Sequence, residues 1–434
     1  QELSEDEIAA NFSANYFFAK NEEDEFKGKI TLGYSGRFKI VDFEATQFNF
    51  RINRNSAQPT VSSTNLDAYF NQTNLNNNLF KLETFRGDVN TPNALDPQTY
   101  SGNQYINGGF AAVEYKFNPK FTAVAGLRFE YIFQEIKWKT SLDPNGDKDA
   151  FDSFEFLPNV SFKYELNDKQ NLKLAASKSY TLPQYKERAP FQFEEVTQIK
   201  FGNPDLNVST NYNVDVRWEY FPKSGEVISL TGFGKIIQNP INEVVVASAT
   251  NDISYVNTGE KATVFGAEFE IRKNIFSSES DLKNKLSAGF NASYMYSDQD
   301  FDRFKVINET SLNVNFTHEN GKLTGASDLI LNADVTYFKE FSETANLQGT
   351  LSFNYFSDRV YAIGSAGKGD LVDKGVGSLD LILKSEITKR IQVGVSFKNL
   401  LNPSIKRLQE IQNVDVLSFK NGVNASISLS YTLD

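Results

Sequence analysis

Apolar and polar residues alternate with period two along nearly the whole chain, the pattern of strands with one apolar and one polar face. From 121 to 133, Phe121, Ala123, Ala125, Leu127, Phe129, Tyr131 and Phe133 share one face, and Thr122, Gly126, Arg128 and Glu130 share the other. From 211 to 220, Tyr212, Val214, Val216, Trp218 and Tyr220 oppose Asn211, Asn213, Asp215, Arg217 and Glu219. Near the end, Val423, Ala425, Ile427, Leu429 and Tyr431 oppose Asn424, Ser426, Ser428 and Ser430. The pattern predicts about 15 strands, near 8–19, 27–52, 104–118, 121–138, 154–167, 171–183, 209–222, 226–247, 253–274, 285–301, 326–342, 346–363, 373–387, 390–400 and 419–433.

Strand length narrows the fold class. Soluble strands run to about five or six residues, whereas a membrane strand needs roughly 9–11 to cross hydrocarbon. Several strands here run past that, which suggests ends projecting beyond a membrane. The polar faces carry Arg128, Glu130, Arg217, Glu219, Glu268 and Asp380. These would be costly in a dry interior and cost little lining a water-filled lumen. Connections also alternate in length. Short ones lie near Asn118-Pro119-Lys120, Asn167-Asp168-Lys169, Pro222 to Gly225, Glu343-Thr344-Ala345 and Thr388-Lys389; long ones span 53–103, 139–153, 184–208, 302–325 and 401–418. Short periplasmic turns and longer outer loops are the habit of outer-membrane barrels. The fold expected is all-β, a transmembrane antiparallel β-barrel, with residues 1–434 forming one barrel domain. The competitor, a soluble all-β fold such as a propeller, has no reason to keep this rhythm. The last strand follows a long connection, so it runs inward; counting back, the first does too, and Gln1 lies outside. Bacterial single-chain barrels are even-numbered, so an odd count predicts further strands before Gln1.

Composition removes several chemistries. There is no Cys, so no disulfide or thiolate site can form, and the single His, His318, excludes most zinc sites. His318-Glu319 falls in an expected outer loop without a recognisable partner motif, so the enzyme reading, an outer-membrane hydrolase, is set aside. A net charge of −11 opposes nucleic-acid binding. No stretch of apolar residues is long enough for a transmembrane helix. The opening Gln1-Glu2-Leu3-Ser4 has neither the basic start nor the apolar core of a signal peptide, and reads as a processed or partial sequence.

Two segments carry candidate site chemistry. Asp143, Asn145, Asp147 and Asp149 place oxygen side chains at alternate positions, as at the start of a calcium loop. Gly at the fourth position and the missing Glu at the twelfth leave a solvated hairpin loop as the simpler reading. The segment 184–208 interleaves aromatic and charged residues, with Tyr185, Arg188, Phe191, Phe193, Asn203 and Asp205 as ligand-loop candidates. Such a mixture forms a ligand-capturing mouth or packs loops against one another. The stretch 53–103, rich in Asn, Gln and Thr, is long enough to be functional or mobile.

Several segments resemble, in order, the C-terminal barrel of TonB-dependent receptors, particularly those of Bacteroidota. They are Gly126-Leu127-Arg128-Phe129-Glu130, Leu157-Pro158-Asn159-Val160, Ser177 to Pro183, Gly202-Asn203-Pro204-Asp205-Leu206, Phe233-Gly234-Lys235-Ile236-Ile237, Tyr255-Val256-Asn257-Thr258-Gly259, Phe265-Gly266-Ala267-Glu268 and Phe397-Lys398-Asn399-Leu400-Leu401-Asn402. The resemblance implies a barrel of about 22 strands, so about seven strands and a plug domain would precede Gln1. It also implies a multi-pass place in a Gram-negative outer membrane, contact with lipid and lipopolysaccharide, and energy-coupled nutrient uptake through TonB, engaged by a plug outside this chain. A surface lipoprotein is a further candidate partner. The alternative is a structural barrel subunit of a larger surface or secretion complex that transports nothing itself.

Overall fold

The computed structural model describes residues 1–53, 61–195, 197–248, 250, 252–278 and 283–433, so 54–60 of the long Asn-rich stretch lie outside the described residues. Fifteen strands follow one another in a single antiparallel sheet, each paired with the next. They are β1 Glu2–Lys20, β2 Phe26–Ala45, β3 Gln98–Asn118, β4 Phe121–Lys139 and β5 Asp147–Asn167. Then come β6 Gln170–Thr181, β7 Ser209–Tyr220, β8 Val227–Gln238, β9 Lys261–Ser278 and β10 Asn284–Asp300. The last are β11 Leu329–Ser342, β12 Ala345–Phe356, β13 Val376–Thr388, β14 Ile391–Lys398 and β15 Asn424–Tyr431. A short strip, Asn320–Gly321, lies beside the end of β10. Among the described residues β1 and β15 are the two outer edges, each with a neighbour on one side. No described helix is long and apolar enough to cross a membrane.

The alternation sorts the faces as expected. On β4, Phe129 is 42% exposed while its neighbour Glu130 is 6% exposed. The apolar face carries ring contacts from strand to strand, among them Phe38 stacked on Tyr105 at 4.7 Å and Phe129 edge-on to Phe156 at 5.1 Å. The polar face is laced by ion pairs that satisfy its charges: Lys178 with Glu155 at 3.0 Å, Lys173 with Glu219 at 2.8 Å, and Arg217 with Glu219 at 2.9 Å. Arg128 pairs with Glu130, which also accepts from the Tyr180 hydroxyl, and donates to Ser35 Oγ at 2.6 Å.

The short turns share one device. Asn21 Oδ1 accepts from the backbone N–H of Glu23, Asn118 Oδ1 from Lys120, and Asn167 Oδ1 from Lys169. Thr388 Oγ1 does the same for Arg390. A short side chain bonding to backbone two residues on mimics a turn and fixes the reversal without extra chain.

The opposite rim is built differently. Its long connections form three small sheets of their own: Gln192–Glu194, Ile199–Phe201, Ile253–Asn257 and Ile241–Val245; Arg359–Ala362, Leu371–Asp373, Ile405–Gln409 and Val414–Phe419; and Asn49–Ile52, Phe80–Thr84 and Gly87–Asp88. Short helices Tyr185–Arg188 and Arg303–Glu309 lie among them. The buried apolar clusters sit here. One joins the projecting ends of β2, β3 and β4 (Val41, Phe43, Tyr100, Ile136) to Tyr185, Ala189 and Phe191. Another joins Val244, Val256, Val306, Val314, Val360 and Ile363. At the projecting ends of β2, β3 and β4 the polar face therefore turns apolar where loops fold onto it.

Several expected boundaries shift. The expected connection 139–153 shrinks because β5 begins at Asp147, paired with Trp138. The expected strands 226–247 and 253–274 each divide, as do 27–52 and 346–363, into a wall strand and a separate loop strand.

Candidate functional site

The segment 184–208 turns back over the end of the sheet. Gly202 makes this possible: its N–H donates to the Ala189 carbonyl at 2.9 Å, and a Cβ there would sit 2.2 Å from that oxygen. Asn203 N–H donates to the Glu187 carbonyl at 2.7 Å, and Asn203 Nδ2 to the Tyr255 carbonyl at 2.9 Å. Asn257 closes the same junction, accepting from Asn207 N–H at 2.9 Å and donating to the Asn239 carbonyl at 2.8 Å. The Gly-Asn-Pro and Tyr-Val-Asn motifs are thus loop architecture.

The six candidates on this segment serve packing and loop-holding contacts. Tyr185 and Phe191 are buried in the cluster with Phe43, and Phe193 packs against it, 4.6 Å from the Phe191 ring. Arg188 is fully buried. It pairs with Asp149, donates to Gln134 Oε1 at 2.9 Å and the Pro204 carbonyl at 3.3 Å, and lies 4.8 Å from the centre of the Phe151 ring. Burial lowers its pKa, and Asp149 opposes that. Asn203 is the stitch just described. Asp205 N–H donates to Asn203 Oδ1 at 3.1 Å, and burial raises its carboxyl pKa against a hydrogen bond from the Ser311 backbone.

The calcium candidates do not converge. Asp143 accepts from Trp138 Nε1 and Gly146 N–H; Asp147 and Asp149 lie on β5, where Asp147 accepts from Lys148 N–H and Asp149 is held by Arg188. Among the described residues no group of three Asp, Glu or His side chains is placed to hold a metal. His318 lies within electrostatic reach of Asp370 and Glu410, both raised in pKa by burial.

Beside this junction lies a cavity of about 400 Å³, lined by Glu187, Glu243, Tyr255, Thr324, Arg359 and Tyr361 together with Ile241, Asn242 and Gly325. Lys200 stands behind it, 2.8 Å from Glu243 and 4.6 Å from the Tyr361 ring centre. Burial alone would disfavour the Lys200 charge, but Glu243 and Tyr361 outweigh it and raise its pKa. Gln198 Nε2 donates to the Tyr361 hydroxyl at 2.6 Å, and Arg407 stacks over the same ring at 3.1 Å. Arg407 and Arg359 both pair with Asp373, at 2.7 and 3.2 Å. Mixed aromatic and polar walls of this size suit a small ligand or one arm of a larger one. None of these residues except Tyr255 lay in a motif. Glu187 sat unmarked between two candidates, and Glu243 and Tyr361 fell in stretches whose alternation read as wall strand.

No curated protein resembles the chain in sequence. Among solved structures it is similar in fold to the ferric yersiniabactin uptake receptor FyuA from Yersinia pestis (TM-score 0.57, 12% identity, 98% of this chain and 52% of that one). It is also similar to the ferric-catecholate import receptor Fiu from E. coli K12 (TM-score 0.60, 9% identity, 99% and 55%). The copper transporter OprC is a third (TM-score 0.58, 11% identity, 99% and 56%). The chain spans about half the length of these receptors. The family described as TonB dependent receptor-like, beta-barrel, matches residues 4–400, and with a single sheet of fifteen antiparallel strands, apolar on one face and charged on the other, the chain belongs to that outer-membrane family.

Proposed function

We propose that the chain is wall and mouth of an energy-coupled receptor, which captures a small scarce nutrient at the loop rim and passes it inward through the lumen. The observation that carries this reading is the mouth cavity, assembled from connections on the long-loop rim above a wall whose inner face is charged and hydrogen-bonded. The coupling would come from TonB acting on a plug domain, and the wall would contact lipid and lipopolysaccharide. Iron chelates and copper, carried by the named structural neighbours, are the ligands to try first. A surface lipoprotein seated on the rim is a further partner to test.

The test is uptake of a radiolabelled ferric chelate by cells carrying the complete receptor. Receptor-dependent uptake that stops when TonB is deleted or the proton gradient collapses is the expected result. Uptake indifferent to both overturns the reading. The rival, a wall subunit of a larger complex, draws on the two open sheet edges; it predicts co-purification with a second barrel chain and no uptake by the receptor alone.

A further inference from the structure

The cations around the mouth cavity are already committed. Lys200 pairs with Glu243 at 2.8 Å, and Arg359 and Arg407 share Asp373. The buried Asn242 amide, also at the wall, donates to Thr258 Oγ1 and Gln299 Oε1 at 2.8 and 2.9 Å and accepts from Thr324 N–H at 3.0 Å. Glu187 differs from all of these. Its carboxylate makes no ion pair among the described residues, and the one hydrogen bond it accepts there is from Gln184 N–H to Oε2 at 2.8 Å. A second carboxylate oxygen is therefore left for a guest.

An anionic ligand would have to break a standing ion pair to gain a cation. A cationic ligand meets an open carboxylate beside the Tyr255 and Tyr361 rings. Burial raises the Glu187 pKa and the neighbouring Glu243 charge adds to it, while Gln184 N–H and Lys200 oppose part of the rise; a cation bound at the carboxylate offsets the remainder.

We propose that this cavity recognises its ligand through a protonated amine or guanidinium that pairs with Glu187, so that the receptor favours cationic members of its ligand class. The inference rests on the receptor reading above.

The test uses the complete receptor in detergent and two ferric trihydroxamates of similar size: a linear one with a free terminal ammonium and a macrocyclic one without it. Hydrogen bonds to charged groups lead to an expected preference for the ammonium form of about tenfold or more. Glu187→Gln, which keeps an acceptor for Gln184 N–H, should reduce the preference to parity, and Glu187→Asp should retain part of it. An unchanged gel shift on heating shows that each variant still folds. Equal binding by the wild type, a preference that survives Glu187→Gln, or no binding of either probe overturns the inference. The receptor reading fails separately, through uptake that persists without TonB.

Discussion

Arg188 has no exposed surface, and it grips one backbone group and two side chains: the Pro204 carbonyl, the Gln134 amide oxygen and the Asp149 carboxylate. Arg188→Ala would strip several donors from buried acceptors. Breaking a buried pair costs about 3–5 kcal/mol, and the partial exposure of Asp149 brings the expected loss down to about 2–4 kcal/mol. The expected readout is faster hydrogen exchange and proteolysis in 184–208, with the wall strands unchanged; unaltered protection there would show that Arg188 does not hold the loop. A second residue-level prediction concerns Asp370. Burial raises its pKa and that of Glu410, to which the Asp370 charge adds. The docked loops then bind more protons than the undocked ones. Docking is strongest below the ordinary carboxylate pKa and weakens as pH rises through the raised values. His318, Lys322 and Lys374 act on the pair and oppose part of this. Exchange of the 409–413 amides, corrected for intrinsic rates, should quicken as pH rises above the ordinary carboxylate range. Asp370→Asn, still able to accept from Gly364 N–H, should flatten that profile, and an unchanged slope would exclude the pair as its source. At this scale the sequence was informative about place and silent about role. Aromatic and charged residues marked 184–208, but which of them packs and which faces a cavity depends on Glu243, Thr324 and Tyr361, far away in the chain.

At the scale of elements the alternation carried most of the information, because wall strands in lipid have two chemically opposed faces along their whole length. It misled where other physics gives the same pattern. Ile241–Val245 alternates like β8 before it, yet Asn239 at φ 51° and Pro240, which has no N–H to donate, break the ladder between them. Asp147 and Asp149 read as loop because the part of β5 beyond the membrane is polar on both faces. Two tests follow. Leu381 lies mid-strand on β13, opposite Leu351 and Phe397. Leu381→Arg should cost roughly 2–4 kcal/mol in refolding of the full receptor into lipid, and a cost near zero would mean the residue does not face the bilayer. Calorimetry with millimolar calcium should show no heat that Asp143→Asn removes, since Asp143 and Asp149 have separate partners; such heat would restore the calcium reading.

For the molecule as a whole, the two open edges matter most. β1 and β15 each leave one side unpaired among the described residues. In hydrocarbon each unsatisfied backbone group costs several kcal/mol. We therefore expect this chain, expressed alone and offered to lipid vesicles, to fail to form a heat-modifiable, protease-resistant barrel, and to succeed when further strands complete the wall. Resistant insertion of the isolated chain, with β15 cross-linking to β1, would show that it closes on itself.

The rim has a consequence for recognition by other molecules. Gln198 bonds to Tyr361 and Arg407, partners 163 and 209 residues away, and Lys200 reaches Glu243. The outer surface is therefore a composite epitope that no single peptide reproduces. An antibody raised against the folded rim should lose its target when any one of these connections is cut, and a graft of one loop onto another barrel should carry neither the antigen nor the mouth.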